Sequence, residues 1–491
     1  MQALLDIVYR DRSKWDDSIR KEISDALQSR YLRLKDVTDR RNDERKFQLR
    51  LNSQTAEGNV PYVALIPGDQ DTSGPYGGMS FVVFPADEDG KPGLIAMVVG
   101  TNGIAPDEEI LARQGHARKC AAITAWARGM NVGLRAWTKR DPVRVDMELP
   151  DAVDGWLESW RGPAETYGKV LYSIVIPPDS PNASQAKDLS RVISAYVDLF
   201  FRERSVGVKK DSDKQATDIT SSWQKSLFPS VSASEVHQLL RSRRFAVVEG
   251  PPGTGKTRLA LELLKGQFSS RGRVIQFHPG TTYETFIGGL APLEGGAMGF
   301  TFKPQLGALG QAIAEASKDP KHDYLLVIDE INRADLSKVL GEAIMLLEPD
   351  EEPRTVKLPY VFPDMGENLT FPKNLFILGT MNSADRSIAI LDVAVRRRFA
   401  FVTLWPQAEV VEQYAKGDLR QAFYDLQQIF IEHATDDALA LLPGHSYFMG
   451  LEAEASMRLQ TGLRPLLQEY LAQGYVAGFS DEIRAYLDML A

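Results

Sequence analysis

An α/β fold on a parallel five-stranded sheet with a helical lid, preceded by an α+β N-terminal domain, is predicted by three observations. Short apolar runs at 245–249, 273–277, 324–329, 375–380 and 399–404 alternate with helix-patterned segments, the rhythm of βαβ units. A glycine-rich turn, Gly250-Pro251-Pro252-Gly253-Thr254-Gly255-Lys256-Thr257, joins the first run to a helix over 258–264. After Pro406 the helical pattern continues to the end of the sequence.

The chain of 491 residues is long for one core, and about 150 residues per domain suggests two to four. The pattern divides it into an α+β recognition domain at 1–204, a linker at 205–234, the α/β core at 235–405 and the lid at 406–491. Within the first part, strands are predicted at 62–66, 79–84, 94–99 and 170–176. Helices are predicted at 15–35, 107–128, 152–167 and 184–201. Pro67-Gly68, Gly74-Pro75 and Pro177-Pro178 mark loops between them. The polar stretch KKDSDKQATDITSSWQKS reads as an interdomain linker.

An apolar content of 43% with 25% charged residues is the balance of a soluble globular protein. One cysteine, Cys120, excludes an intrachain disulfide framework and a Cys-rich zinc site. The N-terminus, broken by acids and arginines, is not a signal peptide, and no apolar run reaches the roughly 20 residues of a membrane helix. A cytoplasmic protein without a membrane partner is the expectation. A net charge of −9 argues against coating nucleic acid through bulk charge. Arg40, Arg41, Arg45, Lys46 and Arg50, and Arg241, Arg243 and Arg244, read as solvated helix faces. The aromatic residues Tyr62, Tyr76, Trp126, Trp137, Trp156 and Trp160 read as core. His116 with Asp107 and Glu108 reads as part of a surface helix rather than a metal or acid/base site.

The glycine-rich turn matches G-x-x-x-x-G-K-[ST] in full, and its strand–turn–helix setting is the one the chemistry requires. Glycines let backbone N–H groups point inward around phosphate oxygens at a helix N-terminus. Lys256 would reach the β- and γ-phosphates, and the Thr257 hydroxyl would bind Mg²⁺. Downstream, Tyr324-Leu-Leu-Val-Ile-Asp329-Glu330 is a buried strand ending in two acids. Asp329 is suited to hold Mg²⁺, and Glu330 to orient or deprotonate the attacking water. An Asp-Glu strand end alone is a weak signal; behind a P-loop it is a strong one.

These two parts resemble the AAA+ class of P-loop NTPases, and the resemblance gives meaning to two further motifs. Asn382, in Leu375-Phe-Ile-Leu-Gly-Thr-Met-Asn382, stands where this class keeps a sensor of the γ-phosphate or attacking water. Arg396, Arg397 and Arg398 precede an apolar strand, at the end of a helix that this class places on the subunit boundary. An arginine entering the neighbour's site is worth about 10³–10⁵ in rate for P-loop enzymes, so a ring or arc is expected rather than a working monomer. Arg396 and Arg397 are both candidates, and Arg398 reads as structural.

A more specific likeness rests on Gln276-Phe-His278, Tyr283-Glu-Thr-Phe-Ile287, Val327-Ile-Asp-Glu-Ile-Asn-Arg-Ala-Asp335, Gly379-Thr-Met-Asn-Ser-Ala-Asp-Arg-Ser387, Arg396-Arg-Arg-Phe399 and Gly444-His-Ser-Tyr-Phe448. Together they resemble the McrB-like family, the motor subunits of modification-dependent restriction systems. The likeness covers about 235–450. It implies a GTP-hydrolysing hexamer, an McrC-like subunit that stimulates hydrolysis and carries the nuclease, and DNA with modified bases as substrate. It also implies that Asp385 and Arg386 belong to the site and that His445 lies on the lid near it.

GTP over ATP rests on this resemblance. Asn332-Arg-Ala-Asp335 and Asn382-Ser-Ala-Asp385 look like guanine-reading Asn-x-x-Asp motifs, yet both sit on the phosphate side of the fold. The N-terminal domain is longer than the methylcytosine reader of the best-studied pattern, and base flipping is a reasonable mechanism if it reads DNA. No PD-(D/E)xK nuclease signature is present, which leaves cutting to a partner. The alternative of a different class is an ATP-dependent, MoxR-like remodelling protein acting on a protein target.

Overall fold

The computed structural model of the protein describes all residues except 33, 35–46, 54–59, 72, 103–105, 295–298, 349–353, 364, 386–392 and 491. It divides into two units, Met1–Phe228 with Ile431–Ala434, and Pro229–Phe430 with Thr435–Ala491. Among the described residues no helix is long and apolar enough to cross a membrane.

The first unit is built on an antiparallel six-stranded sheet: β1 (Phe47–Asn52), β2 (Tyr62–Pro67), β3 (Met79–Phe84), β4 (Leu94–Val99), β5 (Arg135–Thr138) and β6 (Leu171–Ile176), in the order β1-β2-β3-β4-β6-β5. Successive side chains of a strand point to opposite faces. Val63, Leu65, Phe81, Val83, Ile95 and Met97 therefore enter one core, with the helices Gln2–Val8, Ser18–Arg30, Gln114–Gly129 and Ala183–Arg202. Ala64, Ile66, Val82, Phe84, Ala96 and Val98 enter a second core, with Val153, Leu157 and Trp160. Burial on both faces is why these strands read as unbroken apolar runs. Inside the first core, Asp198 accepts from Arg30 Nε at 2.8 Å and Nη2 at 2.6 Å, a two-pronged buried ion pair.

Several expectations for this unit need correction. The presumed linker at 205–234 contains a helix, Lys210–Gln224, because Ala216, Ile219 and Trp223 share one face and are buried. The segment 152–167 is not one helix but three short pieces: Asp151–Asp154, Gly155–Trp160 and Arg161–Tyr167. Arg50 is no solvated helix residue; it is buried in β1, donates to the carbonyls of Gly74 and Asp71, and lies over the Tyr76 ring at 5.1 Å. Arg40, Arg41, Arg45 and Lys46 lie outside the described residues. His116 is buried too, with Nε2 3.2 Å from the Tyr172 hydroxyl and Nδ1 3.6 Å from the Glu203 carboxylate. The side chains of Asp107 and Glu108 lie outside the described residues. The aromatic residues do pack inward: Trp160 is core, Trp126 backs the first core, and Tyr62, Tyr76, Trp137 and Trp156 back the second.

The second unit carries β7 (Phe245–Gly250), β8 (Gly272–Gln276), β9 (Gly288–Glu294), β10 (Phe300–Leu306), β11 (Tyr324–Asp329), β12 (Thr355–Phe362), β13 (Gly366–Thr370), β14 (Leu375–Asn382) and β15 (Ala400–Thr403). Five of them form a parallel sheet in the order β15-β7-β14-β11-β8, with the predicted strands in their predicted places. β9–β10 and β12–β13 are antiparallel hairpins outside it. Phe245, Val247, Leu326, Ile328 and Ile377 fill one face of the sheet, and Ala246, Val248, Leu325, Val327 and Leu378 the other. After Thr403 the unit is helical, as the pattern predicts. The central strands β7, β14 and β11 end side by side, and the crevice beyond such carboxyl ends is where parallel α/β sheets bind ligands.

Candidate functional site

The turn after β7 has the backbone that phosphate binding demands. Gly253 and Gly255 sit at φ 82° and 85°, the left-handed region that a side chain would strain. Gly255 caps the helix Lys256–Gly266, so the turn delivers a helix N-terminus. The Lys256 ammonium donates to the carbonyls of Gly250 at 2.9 Å and Pro251 at 2.8 Å, folded over the loop it belongs to. Burial pushes its pKa down to about 8, against the opposing pull of Glu330 and Asp329. Thr254 is buried, its hydroxyl donating to the Pro251 carbonyl at 3.0 Å.

Beside the turn, Thr257 Oγ1 donates to Asp329 Oδ1 at 2.9 Å. The same carboxylate oxygen accepts from Thr380 Oγ1 at 2.5 Å, and Thr380 in turn accepts from the Glu330 backbone N–H at 3.2 Å. Thr380 is buried and holds the ends of β11 and β14 together. The sequence reading did not single it out, although it stands two residues before Asn382 and so on the same side of β14. A hydroxyl and a carboxylate in contact at the end of a phosphate-binding turn are a donor set that fits Mg²⁺ delivered with a nucleotide.

Glu330 adopts a left-handed backbone (φ 55°, ψ 49°), uncommon for a residue with a side chain. Its Oε2 is buried without a hydrogen-bond donor among the described residues, and Arg333 Nε lies 3.5 Å away. Arg333 also approaches Asp385 at 3.5 Å through Nη2, so it stands between two carboxylates that the sequence reading assigns to the site. In the sequence Arg333 stands out only as a member of the motif 327–335. Asn382 ends β14 opposite Gly250, and its side-chain oxygen accepts from the Ala384 N–H at 3.1 Å. Lys256, Thr257, Asp329, Glu330, Asn382 and Asp385 thus gather at the carboxyl ends of three adjacent strands.

The arginines differ in setting. Arg398 is buried and paired with Glu348 at 2.6 Å. Arg397 is exposed and reaches the same carboxylate at 3.3 Å, while Arg396 is exposed and stacks over Phe401 at 5.2 Å. Arg386 lies outside the described residues.

The Gly444–Phe448 segment of the lid rests on the phosphate-binding turn. Gly444 N–H donates to the Pro252 carbonyl at 2.8 Å and Ser446 N–H to that of Gly253 at 3.1 Å. A side chain on Gly444 would fall 2.0 Å from the Gly253 carbonyl carbon, so only glycine allows this approach.

The model of the AAA domain (dynein-related subfamily) matches residues 246–399, the segment that holds all these strand ends. The Type IV methyl-directed restriction enzyme EcoKMcrB subunit of Escherichia coli (strain K12) is 30% identical over 355 residues, 66% of this chain and 75% of that protein. The Type II restriction enzyme BsuMI component YdiS of Bacillus subtilis (strain 168) is 29% identical over 239 residues, 42% of this chain and 67% of its own length. A phosphate-binding turn, an acidic strand end and a polar strand end on a five-stranded parallel sheet, with identity extending well beyond them, establish that the chain belongs to the McrB family of AAA+ proteins.

Proposed function

We propose that this protein is an Mg²⁺-dependent nucleoside triphosphatase, with GTP favoured over ATP, and the motor subunit of a McrBC-like restriction system. The observation that carries the chemistry is the contact of Thr257 with Asp329, which brings together the two groups suited to a nucleotide-borne Mg²⁺. When bound, that ion would supply positive charge to offset the charge of the phosphates.

The protein's own residues do the rest. The turn 250–257 cradles the phosphates, and Lys256 exchanges its two backbone carbonyls for phosphate oxygens. Glu330, its carboxylate oxygen short of a donor, accepts the proton of the attacking water. Asn382 orients that water or the γ-phosphate. Asp385 and Arg386 complete the site, and Arg396 or Arg397 serves a neighbouring copy in a homo-oligomeric ring, a hexamer by family likeness.

Family membership supports GTP, modified DNA and a separate McrC-like nuclease and activator subunit as the substrate and partners; the relative in Escherichia coli is a methyl-directed restriction enzyme subunit. The first unit is the DNA reader in this account. Steady-state hydrolysis of GTP and ATP, with and without DNA and the product of a neighbouring gene, tests it. GTP preference with stimulation by the partner supports the restriction motor. ATP preference without a partner effect points instead to a remodelling ATPase.

A further inference from the structure

His445 sits between the two backbone hydrogen bonds that tie the lid to the phosphate-binding turn, so its position is set by the turn itself. Its Nδ1 accepts from the backbone N–H of Gln407 at 3.3 Å. A ring nitrogen that accepts carries no proton, so the neutral ring carries its proton on Nε2. Burial, reinforced by the nearby Arg258 charge, keeps the ring neutral by lowering its pKa to about 4. Nε2 has no protein partner among the described residues. It stands 3.9 Å from where a side-chain carbon on Gly255 would sit, at the head of the helix that carries Lys256 and Thr257.

We propose that His445 is a nucleotide ligand: its Nε2–H donates to a phosphate oxygen held in the turn 250–257. The inference rests on the reading of that turn as the nucleotide site. A fixed neutral donor adds a hydrogen bond to the anion without adding a charge that burial would penalise. It also links nucleotide to lid position, because the ring is held by Gln407 and by the lid backbone on either side. Lid position then responds to the bound phosphates directly.

The test is calorimetric titration of the full chain with GDP and ADP, comparing wild type with His445→Gln and His445→Asn, and melting temperatures alongside. A glutamine amide can place an N–H where Nε2 stands, whereas asparagine reaches only as far as Nδ1. His445→Asn is expected to weaken binding by about tenfold to a hundredfold, the scale of a hydrogen bond to a charged group, with His445→Gln within about threefold of wild type. Unchanged affinity in His445→Asn overturns the inference and leaves the nucleotide site standing. Equal losses in both variants, with or without a fall in melting temperature, also overturn it, since the ring is then a structural brace. Absence of binding to the wild-type chain overturns the nucleotide site itself.

Discussion

The Thr257 hydroxyl donates to Asp329 across 2.9 Å, joining the end of the phosphate-binding turn to the end of a strand 72 residues further along the chain. The carboxylate oxygen that receives this bond also receives one from Thr380, whose own oxygen accepts from the Glu330 backbone. Two strand ends and the head of the helix after the turn are therefore tied together through hydroxyl and carboxylate groups.

Thr380→Val keeps the shape and removes the hydroxyl. The Glu330 N–H loses its acceptor in a buried position, a loss of about 1–3 kcal/mol. Turnover is expected to fall by roughly tenfold or more, with a higher Mg²⁺ concentration needed for half-maximal rate. A magnesium titration of hydrolysis checks both; unchanged values would mean that Thr380 does not position Asp329.

The Lys256 ammonium gives a pH signature. In the free protein its pKa is lowered to about 8 by burial. Phosphate oxygens stabilise the charged form, so the bound pKa is higher than the free one. Affinity is then fully present below pH 8 and falls as pH rises above it toward the bound pKa, with proton uptake on binding in that window. Titrations at pH 7 and pH 9 in buffers of different ionisation enthalpy measure the uptake. Affinity independent of pH across this range would remove Lys256 from the phosphate site.

Arg396 and Arg397 are exposed, whereas Arg398 is buried against Glu348. Arg398→Ala leaves Glu348 without its closest cation and is expected to lower the melting temperature. An arginine that acts across a subunit boundary behaves differently when subunits are mixed. If Arg396 or Arg397 serves the neighbour, that variant alone is slow, yet mixing it with Glu330→Gln restores hydrolysis, because each supplies what the other lacks. No recovery on mixing would place the arginine's effect within its own subunit.

The phosphate-binding turn was readable because its chemistry demands Gly, Lys and Thr at fixed spacing, and the parallel strands because both their faces are buried. The hairpins β9–β10 and β12–β13 escaped, since Pro292, Pro304 and Pro359 within them argue against strands. β1 escaped although Phe47, Leu49 and Leu51 alternate with Gln48 and Arg50, because Arg50 closes a basic cluster that reads as a helix face, and β5 because it is four residues long. The helix Lys210–Gln224 resembles a linker in sequence because polar residues dominate it and only Ala216, Ile219 and Trp223 are buried. In the site, Asp329, Glu330 and Asn382 lie at strand ends, where polarity after an apolar run is visible. Thr380 is buried inside a strand, and the bond that gives it meaning comes from another strand. The packing of Gly444 on the turn likewise joins residues far apart in sequence.

The most direct measurement is nucleotide binding and turnover by Glu330→Gln beside wild type. The variant is expected to bind GTP with undiminished affinity and to hydrolyse it at least ~10²-fold more slowly, the scale of a positioned acid/base. Near-normal turnover by a variant that binds as wild type does would contradict it, leaving the phosphate-binding turn without the base assigned to it here.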